Sequence, residues 1–147
     1  MCTNHKQIRI AMIASNLEKN GISTVIMNYC THLDLSKYVI TIIVGEYVDS
    51  LFNKICNKLG IQIIVLPRRT QNPLRYYIDL NKALSENEFD IAHVHGSSAS
   101  IAPELLLARL HQIPIRIAHS HNTTTTNMRV HRMMKPLLNL TYTDAFA

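Results

Sequence analysis

The chain has 147 residues, of which 47% are hydrophobic and 17% are charged, so it can bury the core of one ordinary domain. This composition excludes an intrinsically disordered chain. The formal charge of +5 favours an anionic partner, such as nucleic acid, a phosphorylated metabolite or a lipid surface, although a solvated basic surface also explains it. The three widely spaced cysteines exclude a disulfide framework or a cysteine zinc site and indicate a reducing compartment.

Short β-branched runs alternate with longer helical patterns along the whole chain. The first run, Ile8–Ala14, is too short for a signal peptide, and no stretch reaches the length of a membrane span. The predicted strands are Ile8–Ala14, Tyr38–Val44, Ile61–Leu66, Asp90–His95, Ile115–Ser120 and a sixth over Tyr142–Phe146. The predicted helices are Ile22–Leu33, Ser50–Leu59 with Gly60 as its cap, Pro73–Glu88, Ser98–His111 and Met128–Leu140.

This strict alternation predicts an α/β fold, a Rossmann-like doubly wound parallel sheet with helices on both faces. No internal repeat and no second domain is visible, and the chain ends in YTDAFA, within a predicted strand. We therefore expect it to be part of a longer protein. In the common strand order 3-2-1-4-5-6, the loops after strands one, four and five line one edge of the sheet.

The turn after the first strand reads NGIST and contains one glycine, Gly21. Free amides at a helix N-terminus bind anions, and a glycine lets a phosphate or sugar approach the backbone. The alternative is that Gly21 only turns the chain while Asn20 or Ser23 caps the helix. A dinucleotide site needs G-x-G-x-x-G here, so NAD and FAD are not expected.

Two further strings, DIAHVHGSSAS and RIAHSHNTTTT, each end a strand in His-x-His followed by small polar residues. Side chains two apart on a strand share a face, which pairs His93 with His95 and His119 with His121. With the strand order above, Gly21, residues 95–98 and residues 119–122 converge on one crevice.

The four histidines have two interpretations. Zinc favours imidazole, but the nearest carboxylate, Asp90, lies at the far end of its strand, so we expect no metal. His93 and His119 are expected deep in the sheet, where neighbours can satisfy a neutral imidazole. His95 and His121 are expected to contact phosphate or hydroxyl oxygens. A metal hydrolase remains an alternative hypothesis.

The last predicted helix is amphipathic and basic. Its apolar side contains Val130, Met133, Met134, Leu137 and Leu138, and its polar side contains Arg129, His131, Arg132 and Lys135. Such a helix can dock on anionic lipid or hold a lipid diphosphate, or it can pack on the sheet with its basic side solvated. Pro136 argues against a continuous helix.

Arg68 and Arg69, after the third strand, are either a second anion contact or a surface pair.

From IRIAMIA through NGIST, FDIAHVHGSSAS and IRIAHSHNT to YTDAFA, the whole chain resembles the N-terminal domain of family 4 glycosyltransferases of the GT-B fold, especially bacterial exopolysaccharide and capsule enzymes. The resemblance implies the acceptor-side half of a two-domain enzyme over residues 1–147, with the nucleotide-sugar domain absent. Such enzymes transfer a sugar from a nucleotide-sugar with retention of configuration, usually without a metal. A cytoplasmic protein, peripheral on the inner face of the membrane, is expected.

The resemblance also implies roles for individual residues. Gly21 would lie near the transferred sugar and its diphosphate, although the family turn often has two glycines. His121 would be the catalytic contact to the sugar, and His95 and Gly96 would form a wall facing the acceptor. Ser97, His119 and Asn122 complete the expected substrate-binding set, with Arg129, Arg132 and Lys135 as membrane or acceptor contacts.

Two other classes of function remain open. The chain could be a non-catalytic module that binds carbohydrate or a lipid diphosphate. Nucleic-acid binding is not expected, because no aromatic stacking platform accompanies the basic residues in the sequence.

Overall fold

The computed structural model describes residues 6–96, 98–121 and 128–146. Its centre is a six-stranded sheet, all parallel, in the order β3-β2-β1-β4-β5-β6. The strands are β1 (Ile8–Ala14), β2 (Tyr38–Gly45), β3 (Gln62–Leu66), β4 (Ile91–Gly96), β5 (Ile115–Ser120) and β6 (Asp144–Phe146). The helices are α1 (Gly21–His32), α2 (Ser50–Leu59), α3 (Pro73–Ser85), α4 (Ala102–Leu110) and α5 (Met128–Thr141). The predicted doubly wound fold and its strand order are confirmed.

The core has two layers because successive strand residues point to opposite faces of the sheet. On one face, Ala11 and Ile13 of β1 pack with buried residues of α3 and α4, such as Leu80 and Leu105. On the other face, Ile10 and Met12 pack with α1 and α2. The sheet is thus covered on both sides, and its functional groups are concentrated where the strands end.

Several helix ends follow directly from local sequence. The side chain of Asn20 caps α1 by accepting a hydrogen bond from the N–H of Ser23 at 2.9 Å. Asn72 caps α3 in the same way, with Pro73 in its first turn. Gly60 ends α2 with φ 70°, a left-handed conformation that costs glycine little, which confirms the predicted cap.

Two helices have a boundary that differs from the sequence prediction by more than one residue. The third helix ends at Ser85 rather than Glu88, and its fully buried tyrosine is Tyr76, whereas Tyr77 is half-buried. The segment predicted as one helix from Ser98 is a 3₁₀ turn, Ser98–Ile101, followed by α4. Pro103 lies in the first turn of α4, where its missing N–H breaks no helical hydrogen bond.

The expected interruption at Pro136 is wrong. Helix α5 runs through it without a break because tertiary contacts with α4 and the 3₁₀ turn outweigh the one hydrogen bond that proline removes. The guanidinium of Arg109 on α4 also donates to the carbonyl of Leu140, which anchors the C-terminal turn of α5.

The predicted apolar side of α5 is wrong in one position, since Met133 is 66% exposed. None of the described helices combines the length and apolar character needed to cross a bilayer.

Candidate active-site edge

The carboxyl ends of β4 and β5 bring four of the predicted site residues together. His95 of β4 is paired in register with His119 of β5, and Gly96 is paired with Ser120. The N–H of His121 donates to the carbonyl of Gly96 at 3.0 Å, so the chain stays attached to β4 one residue beyond β5. Ser97 and Asn122, also predicted to bind substrate, lie outside the described residues.

The four imidazoles form a ladder of two hydrogen-bonded pairs on one face of the sheet. His93 Nε2 lies 3.1 Å from His119 Nδ1, and His95 Nδ1 lies 3.1 Å from His121 Nε2. The rings of His119 and His121 stack with centroids 4.3 Å apart and planes within 8°. Tyr29 of α1 covers the inner end of the ladder, with its ring 5.4 Å from that of His93. His93 and His119 thus satisfy one another, as the sequence predicted. The predicted depths are wrong for two residues, because His95 is buried beside His93 whereas His119 is only half-buried.

Burial keeps this ladder uncharged. His95 is 2% exposed, and desolvation, reinforced by the neighbouring imidazoles, lowers its pKa to about 2. The same causes lower the pKa of His93 to about 4. His119 and His121 are half-buried, and desolvation lowers the pKa of each. A neutral cluster suits hydrogen bonds to hydroxyl oxygens better than charge attraction to phosphate.

The tautomer of His95 follows from a hydrogen bond that is missing. Its Nε2 is buried and has no hydrogen-bond partner among the described residues. A buried N–H without a partner is rarer than a buried lone pair without one, which places the proton of His95 on Nδ1. That proton is donated to Nε2 of His121. The neutral imidazole of His121 then carries its own proton on Nδ1, as a donor for a ligand oxygen.

His93, His95 and His119 are also the described residues that come nearest to a metal-ligand set. One ring nitrogen from each lies within 4.8 Å of the others. In tetrahedral zinc sites, metal–nitrogen bonds of 2.0–2.1 Å place ligand atoms about 3.3 Å apart, which is within this limit. The carboxylate of Asp90 is not available, because it accepts from the N–H of Arg9 at the opposite end of β4.

Gly21 is the first residue of α1, at the same edge of the sheet. It is exposed, and a Cβ built on it has no atom within 4 Å. The backbone therefore does not require glycine there. The space beside Gly21 is open, and a ligand there would lie next to the first turn of α1, whose amides attract anions.

Gly96, in contrast, is required by packing. A Cβ at this position would lie 2.4 Å from Cγ2 of Ile101 in the 3₁₀ turn. The close approach lets the turn pack directly on the end of β4. The structure thus supplies a structural reason for Gly96, beside its predicted place in the acceptor wall.

A cleft of about 430 Å³ at the ends of β1, β2 and β3 was missed by the sequence analysis. Its lining includes Ser15 and Asn16 after β1, Glu46 and Tyr47 after β2, and Arg68 after β3. Glu46 has φ 54°, a conformation that is uncommon for residues other than glycine. The available signal was the pair Glu46–Tyr47 directly after a strand-ending glycine.

The two arginines after β3 have different roles. Arg69 reaches inward and donates to Glu104 Oε1 at 2.5 Å and to the carbonyl of Ser100 at 3.0 Å. Glu104 is 2% exposed, and its burial raises the pKa of its carboxyl, an effect that Arg69 opposes. Arg69 is therefore a structural ion-pair partner, not half of a surface pair. Arg68 is exposed and lies 3.8 Å from the carboxylate of Glu46.

Helix α5 presents the predicted basic residues to solvent. Arg129, Arg132 and Lys135 are all exposed. The same helix exposes three large apolar side chains, Met128, Met133 and Leu140. His131 does not belong to this exposed surface, because it is half-buried and its Nδ1 accepts from the N–H of Ala99 at 3.3 Å.

Comparison with known proteins identifies relatives of this chain. The model of the family described as Glycosyltransferase Family 4 matches residues 19–146. EpsF of Bacillus subtilis, named as a glycosyltransferase, is 30% identical over 125 residues, which cover 82% of this chain and 32% of EpsF. The chain thus spans about a third of the length of this curated relative.

Solved structures share the fold at low sequence identity. MurG from Acinetobacter baumannii matches with a TM-score of 0.64 and 13% identity over 97% of this chain and 42% of MurG. A structure described as a UDP-N-acetylglucosamine 2-epimerase from Listeria monocytogenes matches with a TM-score of 0.65 and 13% identity, over 97% of this chain and 39% of that one. These likenesses support the Rossmann-like half of a GT-B architecture.

Proposed function

Because the chain belongs to glycosyltransferase family 4, we propose that it is the acceptor-side domain of a retaining, hexosyltransferase-type enzyme. In this proposal a sugar moves from a nucleotide-sugar to a polysaccharide or lipid-linked acceptor, in the synthesis of exopolysaccharide or capsule. No metal cofactor takes part. The donor's nucleotide is held by a C-terminal domain outside this chain, so the chain alone turns over little or nothing.

The observation that carries the proposal is the pairing of His95 with His121 at the open edge of the sheet. The buried partner orients the imidazole of His121, which leaves Nδ1–H to donate to an oxygen of the transferred sugar. A preorganised donor of this kind costs no reorganisation when charge develops at the reaction centre. The open N-terminus of α1 at Gly21 supplies amides for the departing diphosphate.

The direct test joins this chain to the C-terminal half of EpsF and measures acceptor-dependent release of nucleoside diphosphate from a nucleotide-sugar. Replacing His121 with Ala should lower kcat about 100-fold, the scale of losing one preorganised donor. His111→Ala is the matched control, because this histidine caps the C-terminal end of α4, before β5 begins, and contacts Asn81 of α3 rather than the histidine ladder. Equal turnover by His121→Ala and the parent fusion would contradict the proposal.

A second candidate function is a non-catalytic module that binds carbohydrate or a lipid diphosphate. Whichever function holds, the exposed mixture of basic and apolar side chains on α5 supports a peripheral contact with anionic lipid at the inner face of the cell membrane. Long basic side chains can reach headgroups while Met128, Met133 and Leu140 enter the interface.

Vesicle flotation tests this contact. The chain should float with vesicles rich in phosphatidylglycerol and not with pure phosphatidylcholine vesicles. The triple variant Arg129→Gln, Arg132→Gln, Lys135→Gln should lose flotation, whereas Lys54→Gln, Lys58→Gln on exposed positions of α2 should keep it. Equal flotation of both variants would place the contact elsewhere.

A further inference from the structure

We propose that the cleft at the carboxyl ends of β1, β2 and β3 binds an uncharged pyranose ring, with one face of the sugar stacked on Tyr47. This inference rests on the proposed function for its conclusion that the ring belongs to the acceptor. It assigns a ligand class to a cleft that the sequence analysis did not identify.

The cleft is held open by backbone contacts, not by mobile side chains. Leu17 after β1 and Val48 after β2 form a parallel bridge, which joins the two loops. The N–H of Leu17 donates to the carbonyl of Tyr47 at 3.0 Å, and the N–H of Asp49 donates to the carbonyl of Leu17 at 2.8 Å. A ligand therefore meets walls that already have their bound form, which lowers the entropic cost of binding.

The backbone at the base of the cleft is under specific constraint. A Cβ on Gly45 would lie 2.8 Å from the carbonyl oxygen of Ser15, so the two strand ends meet closely only with glycine there. The next residue, Glu46, keeps its positive φ because its N–H donates to the carbonyl of Leu66 at 2.7 Å. Such conformations are concentrated at functional sites, where surrounding structure maintains them.

Tyr47 gives the cleft an aromatic surface. Tyr47 is 52% exposed, although its carbonyl accepts from the N–H of Leu17 in the loop after β1. The C–H face of a pyranose ring is apolar and matches a tyrosine ring in width, so stacking would remove apolar area from water on both partners. An exposed aromatic residue with a fixed backbone in a concave polar site is the arrangement that this stacking requires.

Polar groups of both kinds surround Tyr47. The side chains of Asn16, Ser15 and Thr70 can donate and accept, the carboxylate of Glu46 accepts, and the guanidinium of Arg68 donates. The hydroxyls of a sugar also donate and accept, and they project from the ring edge. The cleft can therefore bond the edge of a ring whose face lies on Tyr47.

The charge balance of the cleft favours a neutral ligand over a phosphate. Arg68 lies 3.8 Å from Glu46, and Arg69 is bonded to the buried Glu104. Glu18 adds a further acidic group to the lining. A phosphate would meet two carboxylates at the surface of the cleft and no basic group that lacks an acidic neighbour.

The position of the cleft fits an acceptor. Its volume of about 430 Å³ lies within the range of small-molecule sites. Ser15 and Arg69 line both this cleft and a narrow cavity of about 30 Å³ that also borders His95 and Gly96. A saccharide in the cleft thus lies along the same edge of the sheet as the histidine ladder.

Saturation-transfer NMR on the purified chain tests the subsite. The probes are methyl β-D-glucopyranoside, methyl N-acetyl-β-D-glucosaminide, methyl β-D-galactopyranoside and inorganic diphosphate. At least one glycoside should show saturation transfer strongest at its ring C–H protons. Tyr47→Ala should reduce that signal at least fivefold, whereas Tyr47→Phe should keep most of it. Leu110→Ala removes a comparably exposed apolar side chain on α4 and should leave the signal unchanged.

Three results would overturn the subsite: no transfer to any glycoside, equal transfer with Tyr47→Ala, or displacement of the glycoside by diphosphate at equal concentration. Thermal unfolding of each variant shows that a lost signal is not a lost fold. Failure here is distinguishable from failure of the proposed function. If the fusion with EpsF releases nucleotide in an acceptor- and His121-dependent way while Tyr47→Ala changes nothing, only the subsite is wrong.

Discussion

His95 Nδ1 lies 3.1 Å from His121 Nε2, and the remaining nitrogen of His95 is buried without a partner in the described part of the chain. This relationship assigns different roles to the last imidazoles of the two His-x-His patterns. In the proposed function, His95 is a positioning residue that acts through its neighbour, and His121 is the residue that contacts the sugar.

The tautomer of His95 can be tested by replacing this residue with Asn and with Gln, whose side-chain amides differ in length. In His95→Asn the side-chain N–H₂ replaces Nδ1–H, so the bond to His121 is kept. In His95→Gln the amide lies nearer the position of Nε2, and that bond is lost. We expect kcat of the EpsF fusion to be about tenfold lower in His95→Gln than in His95→Asn, the scale of one hydrogen bond. Nitrogen-15 NMR of the chain should show His121 protonated on Nδ1 in the parent and in His95→Asn. An Nε2-protonated His121 in the parent would contradict the assignment.

Stability should fall as the solution is acidified from pH 7 to pH 5. The folded-state pKa values of His93 and His95, about 4 and about 2, lie below the unfolded value of about 6.5. The unfolded state therefore binds more protons in this range, so stability is complete above pH 6.5 and is lost as pH decreases. Each histidine contributes a slope of up to about 1.4 kcal/mol per pH unit. Urea unfolding at several pH values measures this slope. His93→Gln should reduce it, whereas His111→Gln should not, and a pH-independent free energy of unfolding would show that the ladder is not neutral by burial.

Replacing Gly96 with alanine should destabilise the fold, whereas replacing Gly21 with alanine should not. Gly96→Ala forces a methyl group against Ile101 and should destabilise the fold by about 1–3 kcal/mol. Gly21→Ala enters open space and should leave stability within about 0.5 kcal/mol. Thermal or urea unfolding compares them. Because the clash is with one side chain, the double variant Gly96→Ala, Ile101→Ala should lose less than the sum of the single changes.

A double-mutant cycle should show that Arg69 and Glu104 are energetically coupled, because their ion pair is buried. Glu104→Leu alone leaves a partly buried guanidinium without its carboxylate and should cost about 3 kcal/mol. The double variant Arg69→Met, Glu104→Leu removes both charges and should recover most of that loss. Urea unfolding of the four proteins gives the coupling, and strictly additive losses would show that the pair is not coupled.

Metal content tests the remaining interpretation of the histidines. The purified chain should contain no stoichiometric zinc, copper or nickel by elemental analysis, and EDTA should leave its melting temperature unchanged. A metal lost in His93→Ala and retained in His32→Ala would instead show that the ladder rotates into a ligand set.

Much of the fold follows from periodicity alone, because parallel strands buried on both faces must be apolar throughout. Ile8–Ala14 has the predicted bounds for this reason, whereas Gly60 fixes the predicted end of the helix Ser50–Leu59. Pro136 shows that local sequence does not always determine where a helix ends. Helix α5 continues through it because α4 packs against it, and that contact depends on residues distant in the chain.

The candidate site likewise has a part that the sequence predicts and a part that only the folded chain brings together. Alternation along two strands is enough to place His93, His95 and His119 on one face. Tyr47 and Arg68, in contrast, are 21 positions apart in the sequence, and only the close approach of two strand ends at Gly45 brings them to one cleft. In the sequence, no aromatic residue accompanies the basic residues. In the folded chain, however, Tyr47 and Arg68 line the same cleft. The hydrogen-bond direction between His95 and His121 likewise depends on burial, which no spacing reveals.

The histidines and the cleft are supported by different parts of the fold. The ladder is built on β4 and β5, where a shift of one residue would turn the imidazoles to the opposite face and disturb the core. Tyr47 projects from a loop whose backbone is anchored independently of its side chain. If the proposed subsite holds, substitutions at Tyr47 should consequently change which saccharide binds without moving His121, so selectivity can be engineered separately from turnover.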